Sequence, residues 1–590
     1  MNPRGRVVAV IQARMGSSRF PGKVLAPLAG QPLLWHLLQR LRRCRTLDAI
    51  VVATTTAAAD DALAAWAAAQ GVSVVRGPED DVLARFALAA EASQADIVLR
   101  VTGDAPLIDP GLIDALVEAL CTSGAEHALG RAGFATLHEG IDPFTRGALQ
   151  RLLDEAGDDP LAREHVSAWF KQHPQRVRTA WVDIEPRHAN PLGARLSVDT
   201  PADLAFLEAV YAALGVAAGE ADLAAVGRLL QAHPELLALN AHVRQKAASA
   251  RSHRVLIRCD GGGALGLGHV VRCLAIADEL REREGCGVRF ALGGTAVAAE
   301  QVRAAGFPLD LISGEEAAWL DGLIARQRPD ALLLDVRSAL TPAALARWRA
   351  HCRIVLLDDA SARRQAADLL FYPLPPSFDG RELSGACCSG WSWLPLRRQF
   401  AGQPPAATHT SPRLLVTMGG SDPAGLSLLA VEALERLPAD CQPLLVLGRD
   451  FQHAEALAAQ LAGSRRAWQV ERDVADMATL MRSADLALIA YGGTAHELAA
   501  LGVPALYLCL DADHAASAAV CAAAGFGVSL GRAAALDAAA IAAAVAALLA
   551  DGPRRQRMAQ AGRAAIDGGG AARIAARIVQ CIEQPRRAAA

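Results

Sequence analysis

Lysine, aromatic residues and long apolar runs are all scarce in this 590-residue chain. Only three lysines occur, Lys23, Lys171 and Lys246, so arginine carries nearly all of the positive charge and each lysine is more informative than usual. The formal net charge is −3, which excludes a general affinity for nucleic acid or acidic membranes. An anionic ligand must therefore be bound by local groups.

Further absences bear on where the chain works. The twelve cysteines include no CxxC pair and no metal-ligand spacing, which favours a reduced, cytoplasmic setting. The segment before the first predicted strand lacks the apolar region of a signal peptide. The longest apolar run, Ala538–Ala550, is rich in alanine and too short to span a bilayer. We therefore expect neither a membrane span nor a nucleic-acid partner.

The pattern of apolar segments predicts an α/β fold with more than one core. Short apolar strands such as Val7–Ile11, Ala49–Ala53 and Ile97–Thr102 alternate with segments that have apolar residues at helical spacing. Strands that are apolar on both faces indicate a parallel sheet covered on both sides, with ligands beyond the carboxyl ends of its strands. The length of the chain also requires several cores.

The same alternation starts again near residue 253 and runs through twice. We predict a first domain over residues 1–217, a helical extension and linker over 218–252, one lobe over 253–402, a hinge over 403–412 and a second lobe over 413–590. The hinge is inferred from its proline, threonine and alanine content, and the linker from its increasing polarity. Two lobes joined by a hinge bind ligand in the cleft between them.

A loop rich in glycine, hydroxyl groups and cations follows the first predicted strand. Gln12–Lys23 lacks the Walker A order, but it combines backbone N–H groups with positive charge, which suits a triphosphate. A solvated basic loop is the structural alternative. The residues expected to bind nucleotide here are Arg14, Gly16, Ser17, Ser18, Arg19 and Lys23.

Two aspartates follow apolar segments of the same domain. Asp104 comes directly after the strand Ile97–Thr102, and Asp199 lies in Ser-Val-Asp-Thr-Pro. Carboxylates beside a triphosphate suit Mg²⁺, which binds one or two carboxylates together with phosphate oxygens. Taken singly, each is more often a turn or helix-cap aspartate, and Asp199 precedes a Thr-Pro helix start.

A second glycine-rich turn, within Arg258–Arg272, opens the second half of the chain. Gly266 and Gly268 let backbone approach a ligand, and the helix predicted over Val270–Glu282 favours anions at its start. We expect His269 to act as a base there, because histidine titrates near neutral pH and the helix dipole favours the neutral ring. From position alone, a histidine that caps the helix or contacts phosphate is an equal alternative.

Four motifs of the first domain occur in a characteristic order. They are Ile11–Leu25, Thr102–Pro110, Arg163–Val166 and Ser197–Leu204. Together they resemble the cytidylyltransferase family, in the spore-coat polysaccharide protein F branch beside the sialic, pseudaminic and Kdo cytidylyltransferases. The resemblance implies a Rossmann-like domain of the GT-A type that transfers CMP from CTP to the anomeric hydroxyl of a 2-keto sugar acid.

The same resemblance assigns roles to individual side chains. It implies that Arg14, Arg19 and Lys23 hold the triphosphate, with Arg14 and Lys23 taking part in catalysis. It also implies that Asp104 and Asp199 bind Mg²⁺, whose charge stabilises the transferring phosphate. The segment His138–Thr145 is less acidic than the family pattern, which leaves the acceptor sugar open.

The second half carries its own set of motifs. They are Arg258–Asp260, Gly266–Leu274, Leu357–Asp359, Trp393–Phe400, Met418–Pro423 and Tyr491–Leu498. The set resembles the pseudaminic-pathway UDP-sugar hydrolases and the spore-coat polysaccharide protein G type, relatives of MurG-like glycosyltransferases. That resemblance implies a two-lobed GT-B fold without a cofactor, and it favours His269 as the base.

Nucleotide contacts in the second lobe are also implied by this resemblance. It places Gly492, Gly493 and Thr494 against a diphosphate at a helix start, Glu497 on the ribose hydroxyls and Met477 near the uracil. Taken singly, Glu497 fits a solvated helix residue and Met477 a core residue. We also expect the glycine turn with Gly419, Gly420 and Ser421 to contact the nucleotide. The chain departs from the family at Asp335–Arg337 and at Asp513–His514, which bears on sugar specificity or activity.

We therefore expect a bifunctional cytoplasmic enzyme of nonulosonic-acid or related surface-polysaccharide synthesis. Its small-molecule partners would be CTP, a 2-keto sugar acid and a UDP-amino sugar, and a homodimer through the first domain is the protein partner considered. Two alternatives for the second half are a GT-B glycosyltransferase and a non-catalytic module that binds a nucleotide sugar and regulates the first domain.

Overall fold

The computed structural model describes residues 5–131, 141–185, 192–215, 220–244, 252–262, 266–373, 385–406, 409–437, 441–448, 451–474 and 476–585. The chain divides into two compact units. Unit 1 comprises Met1–Ser252 with Arg281–Gly287, and unit 2 comprises His253–Leu280 with Val288–Ala590. The predicted domain bounds stay a prediction. The end of the predicted linker, residues 245–251, and part of the predicted hinge, residues 407–408, lie outside the described residues.

The strands of unit 1 are short, and most carry buried apolar side chains. They are β1 Val7–Gln12, β2 Pro27–Leu28, β3 Gln31–Pro32, β4 Ala49–Thr55, β5 Ser73–Gly77, β6 Ile97–Thr102, β7 His127–Gly130, β8 Pro143–Thr145 and β9 Thr179–Val182. Strands β2 and β3 pair with each other, and the rest form one sheet in the order β5-β4-β1-β6-β8-β7-β9.

Helices cover this sheet on both faces. They are α1 Leu33–Leu41, α2 Asp61–Ala69, α3 Val82–Ala92, α4 Pro110–Ser123, α5 Arg146–Glu155, α6 Pro160–Glu164, α7 Val166–Gln172, α8 Pro201–Leu214 and α9 Leu223–Ala232. In β1, Val8 and Val10 belong to a core with α3 and α7, whereas Ala9 and Ile11 belong to a core with α1. Both faces of the strand are therefore buried, which confirms the predicted α/β class.

The prediction of a purely parallel sheet is wrong at β8. Strands β1, β4, β5 and β6 pair in parallel, but β8 pairs antiparallel with both β6 and β7. Phe144 of β8 is fully buried in the core on the α3 face. A three-residue strand is too short for a period-two pattern, so the sequence did not reveal it.

Unit 2 contains two sheets. The strands of the first are β10 Arg254–Gly261, β11 Gly287–Gly294, β12 Leu309–Leu311, β13 Ala331–Asp335, β14 Arg353–Leu357, β15 Leu369–Tyr372 and β16 Ala386–Ser389. Those of the second are β17 Arg413–Thr417, β18 Gln442–Leu447, β19 Gln469–Arg472, β20 Leu486–Ala490, β21 Ala505–Cys509 and β22 Gly527–Arg532. Their orders are β12-β11-β10-β13-β14-β15-β16 and β19-β18-β17-β20-β21-β22.

Helices follow most of these strands. They are α10 Gly268–Glu282, α11 Ala296–Ala304, α12 Glu316–Gln327, α13 Pro342–Arg349, α14 Leu426–Leu434, α15 Ala454–Ala462, α16 Met477–Arg482, α17 Gly493–Leu501, α18 Ala512–Ala523, α19 Ala538–Ala550, α20 Gly552–Ala565 and α21 Gly570–Glu583. The last helix, α21, returns to the first sheet, where it packs on β14 and β15. Two α/β lobes with this connection agree with the predicted two-lobed architecture.

Part of the predicted linker belongs to the core of unit 1. Leu223, Val226 and Leu230 of α9 are at most 4% exposed, and they pack in one cluster with Phe206 and Val210 of α8. The sequence suggested a linker because the segment becomes increasingly polar toward its end. No helix among the described residues is long and apolar enough to cross a membrane.

We expect Leu230→Ala to lower the free energy of unfolding of unit 1 by about 2–5 kcal/mol, because it removes a buried side chain and leaves a cavity. Leu239→Ala is the matched control, since Leu239 lies in the same extension but is 43% exposed; its effect should stay within about 0.5 kcal/mol. The free energy of unfolding of both variants is measured by urea titration, with hydrogen exchange of the α8 amides as the probe of unit 1. Equal, small effects would mean that the extension is a linker after all.

Candidate functional site

The loop after β1 and the loop after β6 lie side by side, because these two strands are paired with Gln12 opposite Thr102. The backbone N–H of Gly103 donates to Gln12 O at 3.0 Å. A Cβ atom at Gly103 would lie 3.0 Å from the Ala13 side chain, so a glycine lets the two loops approach. The carboxyl edge of the sheet therefore joins the predicted triphosphate loop to Asp104.

Lys23 lies at the centre of the resulting cluster. Its Nζ atom donates to Asp104 Oδ2 at 2.8 Å and to Asp199 Oδ1 at 2.9 Å. A turn at Gly22, whose φ is 76° and whose N–H donates to Met15 O at 2.8 Å, directs the chain into the short helix that carries Lys23. Burial lowers the pKa of the Lys23 amine, but the two carboxylates outweigh it and raise the pKa above its usual value.

Asp199 is bound by three cations. Besides Lys23, the guanidinium groups of Arg19, at 3.0 Å, and of Arg195 contact its Oδ2 atom. Burial alone would raise the pKa of Asp199, but the charges of Lys23, Arg19 and Arg195 hold it well below the usual range. The helix-cap alternative for Asp199 is not what the structure shows, because Thr200 caps α8 in a capping box with Asp203.

A residue of the extension after α9 forms hydrogen bonds to two members of this cluster. Asn240, which is 3% exposed, donates to Asp203 Oδ1 at 3.1 Å and to Arg195 O at 3.0 Å. Asp203 is fully buried and accepts from Arg195 Nε at 2.8 Å. Arg195 and Asn240 are thus site residues that the sequence did not reveal, since neither lies in a glycine turn or at a strand end.

Other predicted residues of the loop are placed differently. The Arg14 guanidinium lies 4.0 Å from Glu79 and is 38% exposed, so its nearest ion pair is not with the aspartates. Ser17 Oγ accepts from the Phe20 N–H at 3.4 Å within the loop. Gly16 and Ser18 belong to the same turn. Their roles in nucleotide binding stay predictions.

In unit 2, His269 lies inside the first turn of α10, one residue after its start. Its Nδ1 atom is 2.7 Å from Asp335 Oδ1, at the carboxyl end of β13. Two acceptors do not approach so closely, so the contact assigns a proton to Nδ1, and in the neutral ring Nε2 is then the acceptor nitrogen. Arg272 Nη2 lies 3.2 Å from the same Nδ1 because it also binds Asp335 Oδ1, at 2.6 Å.

Asp335 is 1% exposed and orients this histidine. Burial pushes the pKa of Asp335 upward, but the charge of Arg272 and the hydrogen bonds from Arg272 and His269 hold it at about 2. Arg272 also donates to Asp358 at 3.2 Å, and its own pKa is raised by both carboxylates. The sequence had marked Asp335 only as part of a departure from the family, because its partner is 66 residues away.

The glycine turns of unit 2 lie at the carboxyl ends of strands. Gly266 O accepts from the Gly262 N–H at 2.6 Å just before Gly268 starts α10, although residues 263–265 of this turn lie outside the described residues. In the second lobe, Gly419, Gly420 and Ser421 follow β17, and Gly492, Gly493 and Thr494 lie at the start of α17. Their predicted contacts with nucleotide stay predictions.

Two predicted nucleotide contacts lie on helices of the second lobe. Glu497 of α17 is 12% exposed in its side chain and forms an ion pair with Arg397 at 3.0 Å, so it is not a solvated residue. Met477 begins α16 and is partly buried against the core under β20. The second departure from the family, Asp513–His514, lies in the first turn of α18, which Asp511 caps.

Comparisons with known proteins bear first on unit 1. A family model described as Cytidylyltransferase matches residues 8–226. Over 219 residues the chain is 34% identical to the spore coat polysaccharide biosynthesis protein SpsF of Bacillus subtilis, an overlap that covers 35% of this chain and 88% of that protein. The chain belongs to the cytidylyltransferase family.

Two further similarities cover different parts of the chain. A 3-deoxy-manno-octulosonate cytidylyltransferase of Anaeromyxobacter sp. is 45% identical over 119 residues, which are 20% of this chain and 47% of that protein. The solved structure of MurG from Acinetobacter baumannii is 17% identical, spans 56% of this chain and 99% of that chain, and has a TM-score of 0.43. The predicted hydrolase relationship of unit 2 stays a prediction.

The carboxylates of the cytidylyltransferase unit fit a magnesium ion. Among the described residues, no group of three or more His, Cys, Asp or Glu side chains could hold a metal by itself. Mg²⁺ needs fewer protein ligands when phosphate oxygens complete its shell. Asp104 and Asp199 converge on one cation already, the Lys23 ammonium group, so their oxygens suit this mode of binding.

Asp60 is a further residue of the cytidylyltransferase site that the sequence did not reveal. It is 2% exposed, and its Oδ1 atom accepts from the Met15 N–H of the triphosphate loop at 2.6 Å. Its Oδ2 atom accepts from Thr54 Oγ1 at 3.0 Å and from the Thr55 N–H at 3.1 Å. Burial opposes the charged form, but these hydrogen bonds hold the pKa of Asp60 below its usual range.

We expect Asp60→Asn to raise the KM for CTP about tenfold or more, because an amide facing these donors loses charge-assisted bonds worth about 1.5–3 kcal/mol. Asp61→Asn is the matched control, since Asp61 is 65% exposed and forms an ion pair with Arg76 at the surface. Its KM should stay within a few fold. Steady-state kinetics with varied CTP tests the pair. Equal KM values in the two variants would show that Asp60 does not shape the loop.

Proposed function

We propose that unit 1 transfers CMP from CTP to the anomeric hydroxyl of a 2-keto sugar acid, and that Asp104 and Asp199 hold Mg²⁺ for this step. The observation that carries the proposal is the Lys23 ammonium group between these two carboxylates at the mouth of the loop. One relative is named for 3-deoxy-manno-octulosonate, which supports a sugar acid as the acceptor.

The cations of the site would stabilise the negative charge of CTP during CMP transfer. The acceptor hydroxyl oxygen attacks the α-phosphorus of CTP and gives up its proton to solvent, while the bond from that phosphorus to pyrophosphate breaks and pyrophosphate leaves. Lys23 and Arg19 supply positive charge to the phosphates. Because both now bind Asp199, they exchange that carboxylate for phosphate oxygens when CTP enters. Mg²⁺, when bound, would neutralise charge that develops on the α-phosphate and pyrophosphate.

We expect Asp104→Asn and Asp199→Asn each to lower CMP transfer by about 10²-fold or more, because stabilisation by a metal charge is worth several kcal/mol. Their activity should also need more Mg²⁺ than that of the native chain. Asp109→Asn is the matched control: Asp109 caps α4 through the Leu112 N–H, and asparagine caps a helix equally well. Pyrophosphate release measures all three. A near-normal rate in either site variant would remove that aspartate from the metal site.

We also propose that unit 2 hydrolyses a UDP-amino sugar with His269 as the base. The supporting observation is the hydrogen bond from His269 Nδ1 to Asp335, which leaves Nε2 of the neutral ring to accept a proton. A water molecule attacks the anomeric carbon, Nε2 takes its proton, and the bond from that carbon to the oxygen of UDP breaks. The diphosphate leaves against the N-terminus of α17, which favours anions.

A glycosyltransferase is the second candidate for unit 2. The His269–Asp335 pair could activate a sugar hydroxyl as well as water. A pair of α/β lobes, each built on its own sheet, suits either reaction. Transfer to an added acceptor with little loss of UDP-sugar to water would favour this candidate. UDP binding without turnover would instead favour a regulatory module. If unit 2 is a hydrolase, the chain is a bifunctional enzyme of nonulosonic-acid or related polysaccharide synthesis.

We expect His269→Ala to cut UDP-sugar turnover by about 10²–10⁴-fold, the usual contribution of a general base, with much less effect on UDP affinity. In ¹⁸O-labelled water the native enzyme should place the label in the sugar and none in UDP, because attack occurs at carbon. Mass spectrometry of both products tests this mechanism. Label in UDP would show attack at phosphorus, and an unimpaired variant would show that another group is the base.

A further inference from the structure

Two consecutive arginines lie in the segment that joins the two lobes of unit 2. Arg397 Nη2 donates to Glu497 Oε1 at 3.0 Å, and Arg398 Nε donates to Glu279 Oε1 at 2.8 Å. Glu497 belongs to α17 of the second lobe, whereas Glu279 belongs to α10 of the first. Neighbouring residues of one connector therefore bind the helices that begin at the two predicted halves of the site.

The carboxylate of Glu497 depends on this connector for its charge. Its side chain is 12% exposed, and burial raises its pKa above the usual value, while the charge and hydrogen bond of Arg397 act in the opposite direction. Loss of the guanidinium group would leave burial unopposed. The other titratable groups on α17 and on the elements packed most closely against it include His496, Arg398, Arg482, Tyr507, Cys509, Arg554, Arg555, Arg557 and Arg563, and Tyr491 and Cys521 lie against His496.

We propose that Arg397 is a positioning residue of the nucleotide site, which holds Glu497 as an oriented carboxylate so that it accepts the ribose hydroxyls of a uridine nucleotide. This inference rests on the proposed nucleotide site at the start of α17. Arg397 binds one carboxylate oxygen, Oε1, from a segment whose flanking residues Leu396 and Phe400 pack in the core of the second lobe, and the second oxygen serves the ribose. Arg397 itself does not touch the ligand.

The charge state of Glu497 matters because ribose hydroxyls are donors. A carboxylate accepts from both hydroxyls, whereas a protonated carboxyl group has a donor of its own at one oxygen. Hydrogen bonds to a charged acceptor are also about twice as strong as neutral ones. Affinity is therefore lost as the pH falls through the pKa of Glu497, and without Arg397 that loss begins at a higher pH.

The test measures the affinity of the full-length chain for UDP and for uridine by calorimetry over a pH series that runs from neutral into the acid range, because burial raises the pKa of Glu497 above its ordinary value. We expect Arg397→Gln to weaken both ligands about tenfold or more at the acid end and to move the fall-off to higher pH. Arg397→Lys keeps a cation and should restore most of the native profile.

Arg398→Gln is the matched control. It removes the neighbouring ion pair, in which Glu279 is 5% exposed, but it keeps the ion pair between Arg397 and Glu497. A structural loss common to both arginines would appear in both variants, so we expect the pH profile of Arg398→Gln to follow that of the native chain. His496 does not confuse the profile at the neutral end, because burial lowers its pKa to about 4.

Three outcomes would overturn the inference. A loss of affinity in Arg397→Gln that is equal at every pH would show a structural role only. A loss for UDP but not for uridine would show that Arg397 binds phosphate. Unchanged affinity in Glu497→Gln would show that the nucleotide site itself lies elsewhere. That outcome contradicts the proposed nucleotide site, and it can be told apart from a failure of this inference because Arg397 is intact in the variant.

Discussion

Buried carboxylates at the carboxyl ends of strands and the starts of helices are the constraint around which both units are organised. A carboxylate in such a place is costly unless cations and hydrogen bonds compensate it. Asp199 has Lys23, Arg19 and Arg195, and Asp335 has Arg272 with His269. These pairs fix side chains from distant parts of the chain at the edges where parallel sheets receive ligands.

The sequence predicted the elements of this arrangement better than its contacts. The strand predicted over Ile97–Thr102 coincides with β6, because a mostly apolar run between turns marks a buried strand. It also led to Asp104, since the carboxyl ends of neighbouring strands meet at one edge. The partners of Asp335 and Glu497 could not be inferred, because they lie 66 and 100 residues away and their proximity depends on the order of strands and on the course of the connector.

Departures from the predicted fold have the same origin. Strand β8 is antiparallel and only three residues long, so it carries no periodic signal of useful length. Helix α9 does have apolar residues at helical spacing, Leu223, Val226 and Leu230, but the increasing polarity of the segment led to its assignment to a linker. Yet both matter to unit 1. Phe144 fills the core beneath the sheet, and the segment after α9 places Asn240 behind Arg195. A very short strand and a polar extension can therefore both have a structural role.

The ion pairs of the two proposed sites differ in what binding would do to them. Lys23 and Arg19 hold Asp199 with groups that phosphate also attracts, so a nucleotide that brings its own negative charge and its metal can replace those pairs at little electrostatic loss. Arg272 binds Asp335 through two hydrogen bonds of 2.6 Å at a carboxylate that is 1% exposed, and breaking them would leave that buried carboxylate without its guanidinium partner. The first network is therefore suited to exchange, and the second to holding one imidazole in a fixed orientation.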